Sequence, residues 1–251
     1  MSKEAKTGVA EAIAADLRDA IEREEYKAGD QLPGENALVR DYGAARLTVR
    51  SALAMLQAEG LTVARRGIGV FVRDFNPVIR NGIARVSERQ WKAGKSIWEH
   101  DSVERNFTVD NVEVTSSEDA PTDVAALLNL GEGEKVAVRR RCYLLNGKPV
   151  LSATSYLPAK LVAGSGIVEL DTGPGGVYAR LADLGHAPAH FREDIVSRMP
   201  TKAERETLKM QAATPVYLIT RTAATDDGTP VEVNVMTADA SAYVLRYDFG
   251  A

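Results

Sequence analysis

The chain has 251 residues, of which 45% are hydrophobic and 26% are charged, and its formal net charge is −4. These values are typical of a globular protein with a sizeable core, and the length allows one large domain or two smaller ones. No apolar run of about 18 residues occurs, so we expect no membrane span. The N-terminus lacks the apolar stretch of a secretory signal, and we expect a cytoplasmic protein.

Few residues are suited to redox or metal chemistry. The one cysteine, Cys142, lies in a β-prone stretch, where we expect a packing role and not a reactive thiol. His186 and His190 are four residues apart, but Pro188 disrupts the helix that would align them as metal ligands. We therefore expect no disulfide, no metal site and no cofactor.

The charge is unevenly distributed near the N-terminus. Residues 1–35 carry five basic and nine acidic residues, a net charge of −4, whereas residues 36–73 carry six basic and two acidic ones, a net charge of +4. All six basic residues in 36–73 are arginines, whose planar guanidinium suits phosphates and guanine edges. A local basic surface on an acidic protein is compatible with specific DNA binding.

A helical pattern covers residues 8–26 at the start of the chain. Its large apolar residues recur every four positions, which predicts a buried stripe made of Val9, Ile13, Leu17 and Ile21. Two glycines and a proline then interrupt the pattern in residues 27–34.

Two further helices are predicted at residues 35–42 and 45–59. Gly34 is a weak N-cap for the first of them, and Gly43 and Gly60 are suited to end the two helices. The first helix turns Leu38, Val39 and Tyr42 inward, and the second has a buried stripe of Val49, Ala52, Leu53 and Leu56.

A β-hairpin follows these helices. Residues 61–64 and 70–72 are β-prone, and Gly67 and Gly69 bracket a tight turn with arginines at its tip. Three helices followed by a basic hairpin predict a winged helix-turn-helix. Arg46 and Arg50 then lie on the outward face of the helix that would enter a major groove.

Residues 8–73 also resemble the DNA-binding domain of the GntR family of bacterial repressors. The resemblance rests on the Leu32-Pro33 pair, the ArgLeuThrValArg run at 46–50, the GluGlyLeu run at 59–61 and the glycine-bracketed wing. Gly34, Asn36 and Ala45 depart from the residues that the family usually has. We predict that the exposed helix face and the hairpin contact DNA through Arg40, Arg46, Thr48, Arg50, Arg65, Arg66 and Gly67.

We predict three parts of the chain: a DNA-binding domain at 1–74, a linker at 75–86 and a second domain at 87–251. The second domain alternates helix-like pieces with seven strand-like pieces, and hairpin signals occur at Asn146-Gly147 and Asp227-Gly228. This pattern predicts an antiparallel α+β sheet domain, so the whole chain is α+β and multidomain.

The second domain resembles the effector-binding (UTRA) domain of the HutC-type branch of the GntR family, which shares the chorismate-lyase fold. The resemblance rests on the stretches at 139–161, 176–185 and 215–233. It implies a dimerising domain that binds a small, often anionic metabolite through Arg141, Tyr178 and Glu232. Tyr143 stands where the family has a second arginine, and Ala153 and Gly176 also depart from phosphosugar-binding members, which argues against assuming a phosphosugar.

Two sets of residues are candidates for the effector site on physical grounds. Ser87 and Gln90 form a capping-box pattern, so a helix N-terminus flanked by Arg85 and Arg89 could hold an anion, or could be an ordinary cap with solvated arginines. Alternation in the predicted strand puts Arg139, Arg141 and Tyr143 on one face. That face lines a ligand pocket or faces solvent.

No nucleophile elbow, Walker loop or dinucleotide fingerprint occurs in the sequence. We therefore expect a one-component transcriptional repressor that binds a palindromic operator in double-stranded DNA as a homodimer and responds to a small effector. The alternatives are an activator, a regulator of plasmid transfer, and a lyase-like or metabolite-binding enzyme with a vestigial DNA-binding domain.

Overall fold

A computed structural model describes residues 3–82, 86, 107–211 and 213–249, with side chains from residue 8 onward. The chain divides into two compact units. The N-terminal unit comprises Met1–Asn76 with Gln211–Thr214, and the C-terminal unit comprises Pro77–Met210 with Pro215–Ala251.

Three helices and a hairpin form the N-terminal unit. The helices are α1 (Lys3–Glu22), α2 (Glu35–Tyr42) and α3 (Arg46–Ala58), and the strands are β1 (Thr62–Arg65) and β2 (Gly69–Val72). The two strands pair antiparallel. This order of elements confirms the predicted winged helix-turn-helix fold.

The core of this unit lies between α1 and α3. The predicted α3 stripe is buried throughout, and it packs in one cluster with Ile13 and Leu17 of α1 and Leu38 of α2. Burial of such side chains contributes about 1.5–3 kcal/mol each, so this cluster holds α3 in place with its other face outward.

The helix ends follow from local chemistry. Gly34 is the N-cap of α2 and supplies no side-chain hydrogen bond, and Gly43 ends that helix with a φ of 58°. Gly60 follows α3 with a φ of 79°, in the left-handed region that favours glycine. The predicted roles of all three glycines are confirmed.

The predicted stripe of α1 is wrong at its first member. Val9 is 46% exposed, whereas Ala10, Ile13, Ala14 and Leu17 are buried. A helix has 3.6 residues per turn, so a strict four-residue spacing rotates by about 40° at each step. Val9 therefore leaves the buried face, and alanines complete the stripe. The helix also ends at Glu22 and not at residue 26.

A six-stranded antiparallel sheet forms the C-terminal unit, with strand order β4-β5-β6-β9-β8-β7. Its strands are β4 (Phe107–Glu118), β5 (Val136–Leu145), β6 (Lys148–Pro158), β7 (His190–Arg198), β8 (Val216–Ala224) and β9 (Pro230–Asp239). The predicted α+β class with an antiparallel sheet is confirmed.

Hairpins join β5 to β6 and β8 to β9. Asn146 and Gly147 have φ angles of 51° and 77°, and Gly228 has a φ of 84°. Two consecutive positive φ angles are the requirement of the tight turn that matches the twist of paired strands. The Asn146-Gly147 dipeptide therefore sets the β5–β6 turn as predicted, whereas the β8–β9 connection at residues 225–229 is longer and has a positive φ at Gly228 alone.

Short helices connect the strands: α4 (Thr122–Leu127), α5 (Ala159–Val162), α6 (Gly176–Asp183) and α7 (Lys202–Thr207), with a 3₁₀ turn at Gly166–Val168. Helix α6 packs Tyr178 and Leu181 into a cluster with Ala137, Leu157 and Val231 of the sheet. The helix-like stretch predicted from Ser87 lies outside the described residues.

A strand lies inside the stretch predicted as a linker. Residues 78–81 form β3 (Val78–Asn81), which pairs parallel with β10 (Tyr243–Arg246). Val78 and Arg80 are buried. The four-residue stretch is too short to show a period, and its partner strand is far away in sequence, so local pattern did not reveal it.

The helices in the described part of the chain are all too short or too polar to cross a lipid bilayer.

Candidate functional site

Arg46 and Arg50 lie on the exposed face of α3, opposite its buried stripe. The Nη2 group of Arg46 donates a hydrogen bond of 2.8 Å to Oδ1 of Asn36. The Nε group of Arg50 lies 2.9 Å from the carboxylate of Glu35. Both partners belong to the first turn of α2, so α2 orients both arginines on one surface.

These contacts leave the guanidinium groups of Arg46 and Arg50 exposed to solvent and able to bind another partner. The Arg50 side chain is 60% exposed and its ion pair with Glu35 is solvent-facing. Such pairs contribute about 0–1 kcal/mol, so a DNA phosphate or guanine edge can replace the carboxylate at little cost. Arg40 on α2 is also exposed, and Thr48 on α3 is half-buried.

The hairpin presents a second basic surface. Its tip is formed by Arg66, Gly67 and Ile68, which are all exposed. The side-chain amide of Gln31 donates a hydrogen bond of 2.9 Å to the Ile68 carbonyl. Gly69 has a φ of 147°, a backbone conformation that residues with a side chain rarely adopt, and a Cβ there would also displace the end of the Gln31 side chain. The hydrogen bond fixes the direction in which the tip projects.

The exposed Arg65 side chain also packs against the face of an aromatic ring. Its guanidinium carbon lies 4.2 Å from the centre of the buried Phe71 ring. A cation in this position is attracted to the ring face. The contact holds the Arg65 side chain along the hairpin.

Sequence reasoning missed two apolar residues on this surface. Leu47 is 74% exposed on the first turn of α3, and Ile68 is 65% exposed at the hairpin tip. Both fall outside the buried stripes and directly beside residues that were assigned to DNA contacts. The available signal was that Leu47 lies between Arg46 and Thr48 and that Ile68 lies between the two glycines of the predicted turn.

A cavity of about 370 Å³ lies in the C-terminal unit. Four of the six residues predicted to bind an effector line it: Arg141, Tyr143, Tyr178 and Glu232. The other two, Ser87 and Arg89, and the flanking Arg85, lie outside the described residues. Gly173, Gly175 and Gly176, which precede or begin α6, have positive φ angles and form one wall.

A row of polar side chains crosses the sheet beneath this cavity. The register pairs Arg139 with Ser155, Ser155 with Asn234, Asn234 with Arg221 and Arg221 with Glu193, so one residue comes from each of five strands. Four of these five residues are buried: Arg139, Ser155, Arg221 and Asn234. Buried polar groups require partners, so this row determines what the cavity can hold.

The two arginines of β5 that line the cavity, Arg139 and Arg141, have protein partners. Arg139 donates hydrogen bonds to the backbone carbonyls of Ile167, Glu169 and Leu170. Burial, together with the nearby Arg141, lowers the pKa of Arg139 to about 10, so it remains charged at neutral pH. Arg141 donates a hydrogen bond of 2.8 Å to the Ser155 hydroxyl.

Arg221 and Asn234 are cavity residues that sequence reasoning missed. Both lie at alternate, inward positions of strands β8 and β9, so alternation could have placed them on the buried face. The positions became relevant only when the sheet order brought Asn234 opposite Ser155 and Arg221 opposite Asn234. Burial also raises the pKa of Tyr178 well above its ordinary value, which keeps that cavity phenol neutral.

Comparisons with known proteins agree with this geometry. The family described as "Bacterial regulatory proteins, gntR family" matches residues 9–72, and the UTRA domain matches residues 110–244. An HTH-type transcriptional regulator of Streptomyces coelicolor is 31% identical over 94% of this chain and 91% of its own length. The transcriptional repressor NagR of Bacillus subtilis is 25% identical over 88% of this chain and 86% of its own length.

Solved structures share the fold over most of the chain. The crystal structure of a GntR-family transcriptional regulator has a TM-score of 0.64 at 23% identity and covers 97% of this chain and 98% of its own. PhnF of Mycobacterium smegmatis has a TM-score of 0.56 at 21% identity, with coverages of 95% and 99%.

The matching family models and the regulators among its relatives identify this chain, with its helix-turn-helix unit and its α+β unit, as a transcriptional regulator. The chain belongs to the GntR family of bacterial regulators and carries a UTRA domain, which fits the HutC-type branch.

Proposed function

We propose that this regulator is a repressor that binds a palindromic operator as a homodimer and that a small effector in the C-terminal cavity lowers its affinity for DNA. In this proposal residues 1–74 bind DNA, residues 75–86 connect the domains and residues 87–251 bind the effector and dimerise. A repressor role is supported by the relative that is named a repressor, the Bacillus subtilis NagR.

The exposed arginine pair of α3 carries the DNA-binding part of the proposal. Arg46 and Arg50 project from one helix face, and α2 holds both of them. We assign base contacts to these two residues with Thr48 nearby, and backbone or minor-groove contacts to the hairpin tip. The remaining proposed contacts are Arg40, Arg65, Arg66 and Gly67.

Operator selection from random duplexes, followed by gel shifts, tests this assignment. A bidentate arginine–guanine contact contributes about 1–3 kcal/mol of discrimination, so we expect Arg46→Ala and Arg50→Ala each to lose about tenfold or more in specific affinity. Arg23→Ala, an exposed α1-proximal arginine paired with Glu25, is the control and should bind normally. Wild-type affinity in both α3 variants would refute the groove assignment.

Salt dependence supplies a second readout in the same assay. Phosphate contacts release counterions, so the logarithm of the affinity should fall linearly with the logarithm of the salt concentration. Sedimentation of the free and DNA-bound chain tests the homodimer, which should also appear as a two-fold symmetric selected sequence.

The effector part of the proposal is supported by the chemistry of the cavity. Arg141, Tyr143, Tyr178 and Glu232 meet there and combine positive charge, aromatic surface and a buried carboxylate. We propose an anionic metabolite as the effector, with Ser87 and Arg89 as further contacts.

A thermal-shift screen of metabolites on the full chain identifies the effector, since a bound ligand stabilises the folded state by mass action. At saturating ligand the operator affinity should fall, because the effector shifts the population only if it binds the DNA-free arrangement better. An unchanged operator affinity would refute the switch.

A further inference from the structure

Glu35 and Asn36 are neighbours on the first turn of α2, and each contacts one arginine of α3 through a different chemical group. Asn36 presents a neutral amide oxygen, 2.8 Å from Nη2 of Arg46. Glu35 presents a carboxylate, and both of its oxygens accept from Nε of Arg50, at 3.0 and 2.9 Å. The charge of Arg50 is therefore offset by a partner of opposite sign, whereas the charge of Arg46 is not offset by its contact with Asn36.

The contact with Glu35 occupies only one side of the Arg50 guanidinium. An arginine has one N–H at Nε and two at each Nη. Among the described contacts, no hydrogen bond involves the Nη groups of Arg50. The Arg50 side chain is 60% exposed and that of Glu35 is 38% exposed, so a large partner can reach this end. The two Nη groups can donate to that partner while Nε stays bonded to Glu35.

A guanine edge and a phosphate differ in what they require at this position. The O6 and N7 atoms of guanine are neutral acceptors that take two N–H groups of one arginine, so the Glu35 carboxylate can stay in place. A phosphate carries a negative charge, and it must either approach the carboxylate against repulsion or displace it from Arg50. Both routes cost about as much as one exposed ion pair, and a guanine contact avoids that cost.

The place of Glu35 in α2 favours a carboxylate there before DNA binds. Glu35 is the acidic residue of the first helical turn, where the partial positive charge of the helix N-terminus stabilises an anion. Gly34, the N-cap, supplies no side-chain hydrogen bond to this turn. The carboxylate therefore has two stabilising neighbours, the helix end and Arg50.

We propose that Glu35 is a specificity-determining residue of DNA recognition, which leaves Arg50 able to bind a guanine and makes it a poor phosphate contact. Glu35 acts through Arg50, so it is a positioning residue. Phosphate contacts supply nearly all nonspecific affinity, so Glu35 lowers binding to nonspecific DNA more than binding to the operator. This inference rests on the proposed DNA-binding function and adds how that surface separates an operator from other sequences.

Binding of the full chain to the selected operator and to a shuffled duplex of the same composition tests the role of Glu35. Glu35→Gln keeps the size of the side chain and removes its charge. We expect its affinity for the shuffled duplex to rise roughly two- to fivefold for each DNA-binding unit in contact, and the ratio of operator to shuffled affinity to fall. The salt dependence on the shuffled duplex should steepen by about 0.9 in the log–log slope, the value of one added phosphate contact.

Three further variants separate this role from a change of net charge or of folding. Asp41→Asn removes one negative charge from an exposed position of the same helix and should leave the ratio unchanged. Glu35→Gln should also leave the ratio unchanged when it is combined with Arg50→Ala, because no arginine is then left to redirect. Glu35→Ala should lower the ratio as Glu35→Gln does, and circular dichroism checks that each variant is folded.

A fall of the ratio that requires both the loss of Glu35 and the presence of Arg50 supports the proposal. Three results would overturn it: an unchanged ratio in both Glu35 variants, an equal fall in Asp41→Asn, or a fall that persists in the Arg50→Ala background. The DNA-binding proposal is judged separately by the wild type. It stands if wild type prefers the operator to the shuffled duplex, whatever the Glu35 variants do.

Discussion

Leu47 places a large apolar side chain in solvent on the first turn of α3, between Arg46 and Thr48. The 5-methyl group of thymine is the apolar feature of the major groove, and it suits such a side chain. Leu47 therefore belongs to the proposed reading surface, although nothing in its periodicity had marked it.

Replacing single thymines of the selected operator with uracil removes only this methyl group. Wild type should lose about fourfold in affinity at one position of each half-site, the equivalent of one buried methyl group. Leu47→Ala should bind thymine and uracil duplexes equally while keeping its salt dependence. Equal wild-type affinity for every uracil duplex would exclude the methyl contact.

Residues differ in how far their positions in the structure could be predicted. Arg46 and Arg50 were found from sequence because helical spacing alone puts them opposite the buried stripe. The contacts of Arg46 with Asn36 and of Arg50 with Glu35 were not predicted. They join α2 to α3, and residue spacing within one helix does not give the angle between two helices. Arg221 was missed because its importance depends on neighbours from other strands.

At the scale of elements, the ends of α3 illustrate what local chemistry controls. Ala45 is the N-cap, has the extended backbone that a capping residue needs, and offers no side-chain hydrogen bond. The backbone N–H of Thr48 bonds only to the Ala45 carbonyl among the described backbone contacts, at 2.9 Å. The first turn of α3 therefore lacks the side-chain hydrogen bond that a serine, threonine, aspartate or asparagine at residue 45 would supply.

Ala45→Ser should strengthen this start, because a serine hydroxyl can accept a hydrogen bond from the second or third N–H of the helix. We expect a gain of about 1 kcal/mol in the free energy of unfolding of the N-terminal unit. Ala54→Ser, at an exposed position inside α3, is the matched control and should be neutral or slightly destabilising. Urea unfolding followed by circular dichroism measures both, and equal effects would rule out the cap.

Strands and helices were predictable where the periodic pattern extends over several turns or residues, as in α3, β5 and β6. Val9 was wrongly predicted to lie on the buried face of α1. Residues spaced four apart stay near one face of a helix only over a few turns. The strand β3 was not predicted because its four residues show no strand pattern of their own. They form a strand because they pair with β10, which is distant in sequence.

For the whole molecule, three carboxylates connect stability to pH. Hydrogen bonds from Arg140 lower the pKa of Glu118 to about 2, and those from Arg198 lower that of Glu204 to about 2. Burial alone would raise the pKa of Glu193, but hydrogen bonds from Arg80 bring it below its ordinary value of 4.5. All three groups are charged in the folded state at neutral pH.

A lowered pKa contributes stability that is complete above the unfolded value, near 4.5, and is lost as the pH falls towards the folded value. The free energy of unfolding of the C-terminal unit should therefore be constant from pH 7 to about 5 and decline between pH 4.5 and about 2. Urea titrations at several pH values measure this decline. Glu193→Gln should be less stable at pH 7 and show a shallower decline, and an identical slope would contradict the role given to Glu193.

The sequence by itself determined the winged helix-turn-helix, the arginine pair on its outer face and the antiparallel character of the second unit, because each follows from spacing within one element or from a turn of two residues. The tertiary structure decided the polar row from Arg139 to Glu193 and the Arg80–Glu193 pair. These features arise where five strands and β3 bring distant residues side by side in a low-dielectric interior. Whether a buried charge has a partner depends on the residues opposite it on neighbouring strands. The alternating pattern within one strand does not show which strands are its neighbours.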